Sequence, residues 1–224
     1  MKQIKSLIQQ FGYLGSASYI TSRLLGKFLG IEMHHYKFYL QPVCTIPRVS
    51  AAKLERYNFS WINQPGKILD ALERPEHVIK KRFDQGSICL VAKQQEQFQG
   101  CLWLIPSQYI EDEVRATYHF PNSTVWDHDV YVTPKKRFTI LFAALWDMAD
   151  RWMKKQGYTH SFSGISAYYP QSVRSHEAAG AKQIGWMITL AVYPRQLTIS
   201  DHSPRIYFAS KNDTCGPDLF FDKI

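Results

Sequence analysis

The stretch from 125 to 180 decides the fold, and it has four parts: VWDHDVYVTPKKRF (125–138), TILFAALWDMADRWMKKQG (139–157), YTHSFSGIS (158–166) and AYYPQSVRSHEAAG (167–180). The first and third parts are rich in β-branched and aromatic residues, which is typical of strands. The second has the apolar spacing of an amphipathic helix and ends at Gly157. The fourth has Pro170 in its first turn and Gly180 at its end, as helices often do. The stretch therefore predicts strand, helix, strand and helix in succession.

A basic turn, Pro134-Lys135-Lys136-Arg137, lies between the first strand and the first helix. The first amides of a helix have no partner within the helix, and the helix dipole is positive at this end. Helix starts therefore bind anions, and the three cations strengthen that preference. The turn predicts a site for a phosphate-bearing ligand.

The order of these residues resembles the GNAT acyltransferase superfamily. The resemblance is carried by Val132-Thr133-Pro134 at the strand end, by Arg137 in the turn, and by Ser172 and Gly180 in the second helix. It covers about residues 45–195 and implies a GNAT-like acyl-CoA N-acyltransferase fold. Such a fold is α+β (mixed α/β), with a central, mostly antiparallel sheet flanked by helices. The resemblance also implies acetyl-CoA or another acyl-CoA as co-substrate.

The resemblance assigns eight residues to coenzyme A binding: Val130, Val132, Lys136, Arg137, Phe138, Thr139, Ile140 and Ser172. Phe138, Ile140 and Phe142 stand where the family has glycine, which lets the backbone approach a pyrophosphate closely. The backbone amides remain whatever the side chain is. Binding at this turn therefore requires these three side chains to point away from the ligand.

The family's reaction is the direct attack of an amine, or less often a hydroxyl, on a thioester. The amine must first lose a proton, and the candidates to take it are Asp127, His128 and Asp129. Strict alternation along the strand would place His128 on the face opposite to both aspartates. The leaving thiolate must gain a proton, and His176 occupies the position of the family's general-acid tyrosine. Alternatively, the two aspartates pair with Lys or Arg, and His176 is a surface residue near a helix end.

The composition favours an anionic partner and gives no sign of a metal site. The net charge is +8 and the pI is near 9.3. Basic residues occur only in short groups, so nucleic acid is not expected as a partner. The four cysteines form no CxxC pair, so we expect no metal and reduced thiols in a cytoplasmic protein. No stretch approaches the roughly 18 consecutive apolar residues of a membrane span.

Residues 1–30 contain four cations, Lys2, Lys5, Arg23 and Lys27, and no acidic residue. Their apolar positions predict two amphipathic helices separated at Gly12 and Gly15. Two interpretations stay open. Either these helices make peripheral contact with an anionic membrane, or their apolar faces pack on the domain or in a homodimer.

The rest of the chain predicts further helices over 51–59 and 67–85, the second interrupted near Pro75, and an acidic, solvated segment at 111–113. Strands are predicted over 35–43, 88–92, 97–105, 115–120, 183–194 and 205–210. We expect a helical extension and strand over 1–42, the acyltransferase domain over 43–210 and a tail without clear periodicity over 211–224.

The sequence thus predicts an acyltransferase that moves an acetyl or longer acyl group from coenzyme A to an amine, or to a hydroxyl, by direct attack. Aromatic residues make up 14% of the chain and could shape a pocket for a small-molecule, lipid-linked or sugar-linked acceptor. The alternative is a catalytically silent binding or membrane-associated module on the same fold.

Overall fold

The computed structural model describes residues 2–137, 139–213 and 215–221, with the backbone alone for residues 2–11 and 14. The helices are α1 (Lys2–Leu29), α2 (Ala51–Leu54), α3 (Glu76–Asp84), α4 (Leu141–Gln156) and α5 (Pro170–Ala178), with 3-10 turns at Lys67–Leu72 and Pro134–Lys136. The strands are β1 (Glu32–Pro42), β2 (Asn58–Ile62), β3 (Ile88–Gln94), β4 (Gln97–Ile105), β5 (Tyr109–Ile110), β6 (Thr117–His119), β7 (Thr124–Val132), β8 (His160–Ser166), β9 (Lys182–Val192), β10 (Arg195–Ser200), β11 (Ile206–Ala209) and β12 (Asp218–Phe220). Among these residues no helix combines the length and the apolar character needed to cross a bilayer.

Contacts divide the chain into two compact units, and each unit is assembled from separate segments. The first unit comprises the described residues of Met1–Gln41, Ile110–His119 and Ser163–Ile224. The second comprises Pro42–Tyr109 and the described residues of Phe120–Phe162. Strand β8 begins in the second unit and ends in the first. The predicted domain bounds at 42 and 210 stay a prediction.

The first unit is built on antiparallel strands in the order β11-β10-β9-β1-β8. Phe38 of β1 is fully buried, and its ring lies 5.5 Å from the ring of Tyr118 and 5.0 Å from that of Phe221. Phe221 follows β12, which pairs in parallel with β6. The segment after 211, predicted to lack periodicity, therefore contributes both a strand and a core residue.

The second unit is built on an antiparallel sheet in the order β7-β4-β3-β2. Because side chains alternate across a strand, β3 and β4 supply two cores. Leu90 and Leu102 pack with Leu145 of α4 on one face. On the other face Cys89, Cys101 and Trp103 pack with apolar residues of the 3-10 turn and α3. Helix α4 thus covers one face of this sheet, and α3 with the 3-10 turn covers the other.

The structure confirms the predicted mixed α/β class, with mostly antiparallel strands and flanking helices. The order of strand β7, helix α4, strand β8 and helix α5 is as predicted, and Gly157 and Gly180 close the two helices at φ values of 83° and 97°.

Several local predictions were wrong. Of the two glycines predicted to separate the N-terminal helices, Gly12 does so, with a non-helical backbone (φ 69°, ψ 179°) where two helical segments of α1 meet, but Gly15 lies inside the second segment. The helix predicted over 51–59 stops at Leu54, because Phe59 and Trp61 join β2 and pair with β3. Strand β10 was missed, since its residues follow β9 after only two residues and resemble a continuation of it.

Candidate functional site

The turn between β7 and α4 closes on itself through backbone and threonine contacts. The amides of Lys136 and Arg137 donate to the carbonyl oxygen of Thr133 at 2.8 and 3.1 Å. Thr139 Oγ1 donates to the Lys136 carbonyl at 2.6 Å and accepts from the Leu141 amide at 3.3 Å. The chain therefore enters α4 through a defined turn, with no acidic residue in the first turn of the helix.

The three cations of this turn have different environments. Lys135 and Arg137 are exposed to solvent. Lys136 Nζ donates to Gln94 Oε1 at 2.7 Å and lies 5.9 Å from the ring centre of Tyr57. Lys136 is thus directed toward the β3–β4 hairpin, which leaves Lys135 and Arg137 as the cations presented to an incoming anion.

Two of the bulky residues at the family's glycine positions are packed inward. Ile140 packs against the buried cluster of Val49, Leu54 and Ala144. Phe142 packs against the α4 face of the sheet, in the cluster that contains Leu102. Phe138 lies outside the described residues. The requirement that these side chains avoid the ligand is therefore met at the two positions that the structure describes.

The resemblance also predicted that Val130 and Val132 bind coenzyme A. Both are half-buried at the end of β7, where this strand pairs with β4. Both side chains pack against the cluster beneath α4. Since those side chains are committed to the core, only the backbone of this strand end is available to a ligand.

Asp129 lies in an ion-pair cluster rather than in an open cleft. Its Oδ2 accepts from Arg82 Nη1 at 2.9 Å and from Arg74 Nη2 at 3.0 Å. Arg82 is only 3% exposed, and its guanidinium lies 5.2 Å from the ring centre of Trp103. This arrangement matches the alternative that the acid pairs with Arg, and its Oδ2 is engaged by two guanidinium groups rather than poised to take a proton.

His128 does not lie on the face opposite to Asp129, which corrects the expected alternation. The β4–β7 register pairs Trp103 with Asp129 and Leu104 with Asp127, so His128 is an extra residue between two pairs. Such a bulge turns adjacent side chains to one side of a strand. The His128 ring accordingly lies 5.8 Å from the Trp103 ring, next to the ion pair of Asp129.

The surroundings of His128 keep its imidazole neutral. Burial, followed by the charges of Arg82 and Arg74, holds the pKa of His128 well below its usual 6.5. Nε2 lies 3.1 Å from Ser87 Oγ, and the ring stacks on Tyr109 at 4.7 Å. Nδ1 is buried with no hydrogen-bond partner among the described residues. Ser87 and Tyr109 belong to no motif, so nothing in the sequence indicated this contact.

Asp127, the third candidate on β7, is 4% exposed. It stands opposite Leu104 on the far side of the bulge from Asp129. His128 therefore lies beside the ion pair of Asp129, whereas Asp127 lies on the other side of the bulge.

The two remaining predicted residues, Ser172 and His176, lie on α5 in the first unit. His176 is 3% exposed, and its Nδ1 donates to the Ser172 carbonyl oxygen at 2.9 Å. It is therefore not a surface residue, which corrects that alternative. Because Nδ1 carries the proton in this contact, Nε2 is the atom that would exchange a proton.

Glu111 of the first unit, in the segment 111–113 predicted to be solvated, has a raised pKa. Burial raises the pKa of Glu111 to about 7, although its Oε1 accepts from the Asp112 amide at 2.8 Å. Nearby, the Tyr36 hydroxyl donates to Glu113 Oε2 at 2.5 Å. A short acidic segment in a sequence gives no sign of such burial, which is why this group was missed. Within the described residues no group of three or more His, Cys, Asp and Glu is arranged to hold a metal ion.

No family model matches the chain. No curated protein matches it in sequence either.

Solved structures do match the chain. A functionally unknown conserved protein from Staphylococcus epidermidis ATCC 12228 aligns with a TM-score of 0.53 at 11% identity, over 75% of this chain. This chain spans only 65% of that protein's length. This likeness shows a shared fold.

Looser matches include two acyltransferase-related structures. A fungal GCN5-related glucosamine N-acetyltransferase region, part of a multi-domain β-N-acetylglucosaminidase, gives a TM-score of 0.48 at 14% identity, over 75% of this chain and 22% of that one. A tandem GNAT protein from the clavulanic acid biosynthesis pathway gives 0.47 at 9% identity, over 75% and 57%. At these scores neither likeness bears on function.

The strongest support for the resemblance comes from the chain's own structure. Strand β7 ends at the V-x-P residues, the basic turn opens α4, and Ser172 and Gly180 lie at the start and end of the α5 region. This is the order of elements that the GNAT resemblance implies, so the chain is GNAT-like in its fold.

Proposed function

We propose that this protein is an acyltransferase that binds acetyl-CoA or another acyl-CoA with its phosphates at the start of α4. The observation that supports the proposal is the inward packing of Ile140 and Phe142. Of the three bulky side chains that could block a pyrophosphate at this turn, these two therefore point away from it. The exposed Lys135 and Arg137 then add charge where the helix dipole is positive.

The chemistry that follows is the direct attack of an amine, or of a hydroxyl, on the thioester carbonyl. The carbon–sulfur bond breaks as the new bond to the acceptor forms, and the thiolate takes a proton. His176, as the imidazolium, is the proposed donor because it occupies the position of the family's general-acid tyrosine; Nδ1 is held by the Ser172 carbonyl, so the proton would leave from Nε2, which is buried. Protonation of the thiolate requires a group that carries a proton at the moment of bond cleavage.

The acceptor amine must lose its proton, and the structure changes the ranking of the candidates. Asp129 is engaged by two guanidinium groups, and the lowered pKa of His128 makes it a weak base. Asp127 keeps its predicted role.

Calorimetric titration with acetyl-CoA and with longer acyl-CoAs tests the proposal directly. We expect Arg137→Ala to weaken binding by about 1.5–3 kcal/mol, or roughly ten- to a hundredfold in Kd, since a charge-assisted hydrogen bond to phosphate is lost. The matched control is Arg56→Ala, since Arg56 is also exposed and lies in the same unit. It should leave the Kd unchanged.

The contrary outcomes are distinct. Equal affinity in the Arg137→Ala protein would place the phosphates elsewhere. A folded protein that binds no acyl-CoA would replace the enzyme with a silent binding module on the same fold. If binding is intact, His176→Ala should lower kcat more than it changes the Kd, and an unchanged kcat would assign that proton to another group.

A further inference from the structure

The second segment of α1 has its small polar residues on the inside. After the kink at Gly12, Ser18 Oγ lies 2.9 Å from His35 Nδ1 and 3.2 Å from the Tyr168 hydroxyl. One turn further on, Ser22 Oγ donates to the Met33 carbonyl at 3.2 Å. The helix is thus attached to its own unit by hydrogen bonds from serines, together with the edge-on contact of the Tyr19 and Tyr168 rings.

Several apolar side chains of the same segment are exposed, whereas Tyr19 and Leu25 are half-buried. Tyr13, Ile20, Leu24 and Phe28 are 81%, 38%, 50% and 69% exposed. They follow one another at spacings of seven, four and four residues, which places them on a single face of a helix. A surface helix normally buries such a face, so this face fits a partner that is itself apolar.

Cations border the apolar face, and the helical segment from 13 to 29 carries no Asp or Glu. Arg23 and Lys27 are exposed, and Lys27 Nζ lies 5.4 Å from the ring centre of Phe28. Residues 1–31 contain no Asp or Glu. An apolar helix face with a basic border is the charge pattern of helices that lie in the interface of an anionic bilayer.

A cavity of about 570 Å³ adjoins this border at the end of α1, and its lining includes Ser22, Arg23, Lys27 and His34. Among the described residues that line it, Glu32 supplies the one carboxylate, and its Oε2 lies 3.8 Å from His34 Nε2; Glu113, outside the lining, has Oε2 3.9 Å from His34 Nδ1. The lining is therefore net basic and can take an anionic headgroup beside the apolar face.

We propose that the Tyr13–Phe28 face of α1 docks the protein on an anionic lipid surface. The apolar side chains enter the boundary between headgroups and acyl chains, and Arg23 and Lys27 contact lipid phosphates. The helix lies on the membrane rather than across it. The proposal does not depend on acyl-CoA binding.

Cosedimentation of the full chain with vesicles tests the proposal. We expect binding to vesicles of phosphatidylcholine mixed with phosphatidylglycerol, weak binding to phosphatidylcholine alone, and release by added salt because lipid charge is screened. Arg23→Gln and Lys27→Gln should each lower partitioning about fivefold, since a cation near such a surface contributes roughly 1 kcal/mol. Leu24→Ser with Phe28→Ser should lower it by about tenfold or more.

The matched control is Ile206→Ser with Phe208→Ser. These side chains are 70% and 59% exposed on β11, and their loss should leave vesicle binding unchanged. Equal binding to neutral and anionic vesicles, or an equal loss in both double variants, would overturn the proposal. So would a dimer in vesicle-free solution that Leu24→Ser with Phe28→Ser converts to monomer, because a second copy would then cover the face.

Discussion

At the scale of single residues, β7 shows how one irregularity in a strand changes the role of its neighbours. The bulge at His128 brings that imidazole to the Trp103 ring, on which Arg82, the partner of Asp129, also lies. Arg82 is buried against that ring and needs a counter-charge there. Asp129 supplies it, so this acid has a structural task that its position in an expected catalytic strand does not reveal.

Replacing Asp129 should therefore cost stability. Asp129→Asn leaves Arg82 buried without the carboxylate at 2.9 Å, and removing one partner of a buried pair costs about 3–5 kcal/mol. Urea unfolding would measure this loss. The control is Asp84→Asn, which breaks the exposed Lys80–Asp84 pair and should cost under about 1 kcal/mol. Similar losses in both proteins would show that Arg82 does not depend on Asp129.

The pH dependence of stability should carry the signature of His128. Its pKa is about 6.5 in the unfolded chain and far lower in the folded protein, so below that pH the unfolded state binds the extra proton. Stability should fall as the pH drops below about 6.5 and be insensitive to this group above it. Urea unfolding at about pH 5 and pH 8 measures the change in the free energy of unfolding between the two pH values. This change should be smaller in His128→Gln than in the wild type.

The matched control for that comparison is His77→Gln, because His77 is exposed on α3 in the same unit. It should show the pH dependence of the wild type. If His128→Gln loses as much stability on acidification as the wild type does, the buried imidazole is not the group responsible.

At the scale of elements, the entry to α4 combines two functions in adjacent residues. Ile140 anchors the start of the helix in the core, whereas Lys135 and Arg137 remain exposed. A family glycine at 140 would offer close backbone approach but no anchor. Isoleucine at this position allows a less close approach to the backbone, but its side chain is buried against Val49 and Leu54.

This division predicts opposite effects for two substitutions. Ile140→Ala should lower the free energy of unfolding by about 2 kcal/mol, near the lower end for a half-buried isoleucine, with the acetyl-CoA Kd changed less than about twofold. Lys135→Ala should weaken acetyl-CoA binding and leave unfolding unchanged. Calorimetry and urea unfolding on both proteins decide the matter. A tighter Kd in the Ile140→Ala protein would mean that this side chain obstructs the ligand.

The sequence predicted elements best where local signals agreed. Strand β7, helix α4 and helix α5 carry proline, glycine and apolar spacing that all indicate the same structure, and each was found. Residues 55–62 carry mixed signals, and pairing with β3 decided in favour of a strand. The roles of Asp129 and His128 were beyond the sequence, because Arg82 and Ser87, which define them, lie more than 40 residues away.

At the scale of the whole molecule, the two units interleave along the chain, which no local pattern in the sequence could show. Ile110–His119 belongs with the N-terminal and C-terminal segments, although both of its neighbouring segments belong to the other unit. The domain predicted over 43–210 rested on the order of elements along the chain, and it stays a prediction. The contacts that group these segments join residues such as Phe38, Tyr118 and Phe221, which are too far apart to be paired from a single sequence.

Tyr168 has a consequence for communication within the first unit. Its hydroxyl contacts Ser18 of α1, its ring contacts Tyr19 edge-on at 5.7 Å, and it lies two residues before α5 begins. A displacement of α1 would therefore disturb these contacts with Tyr168, which leads into α5, the helix that bears Ser172 and His176. Thermodynamic linkage makes such coupling reciprocal. A ligand that orders α5 and a surface that binds α1 would then each change the protein's affinity for the other by the same factor, because both act on the contacts of Tyr168.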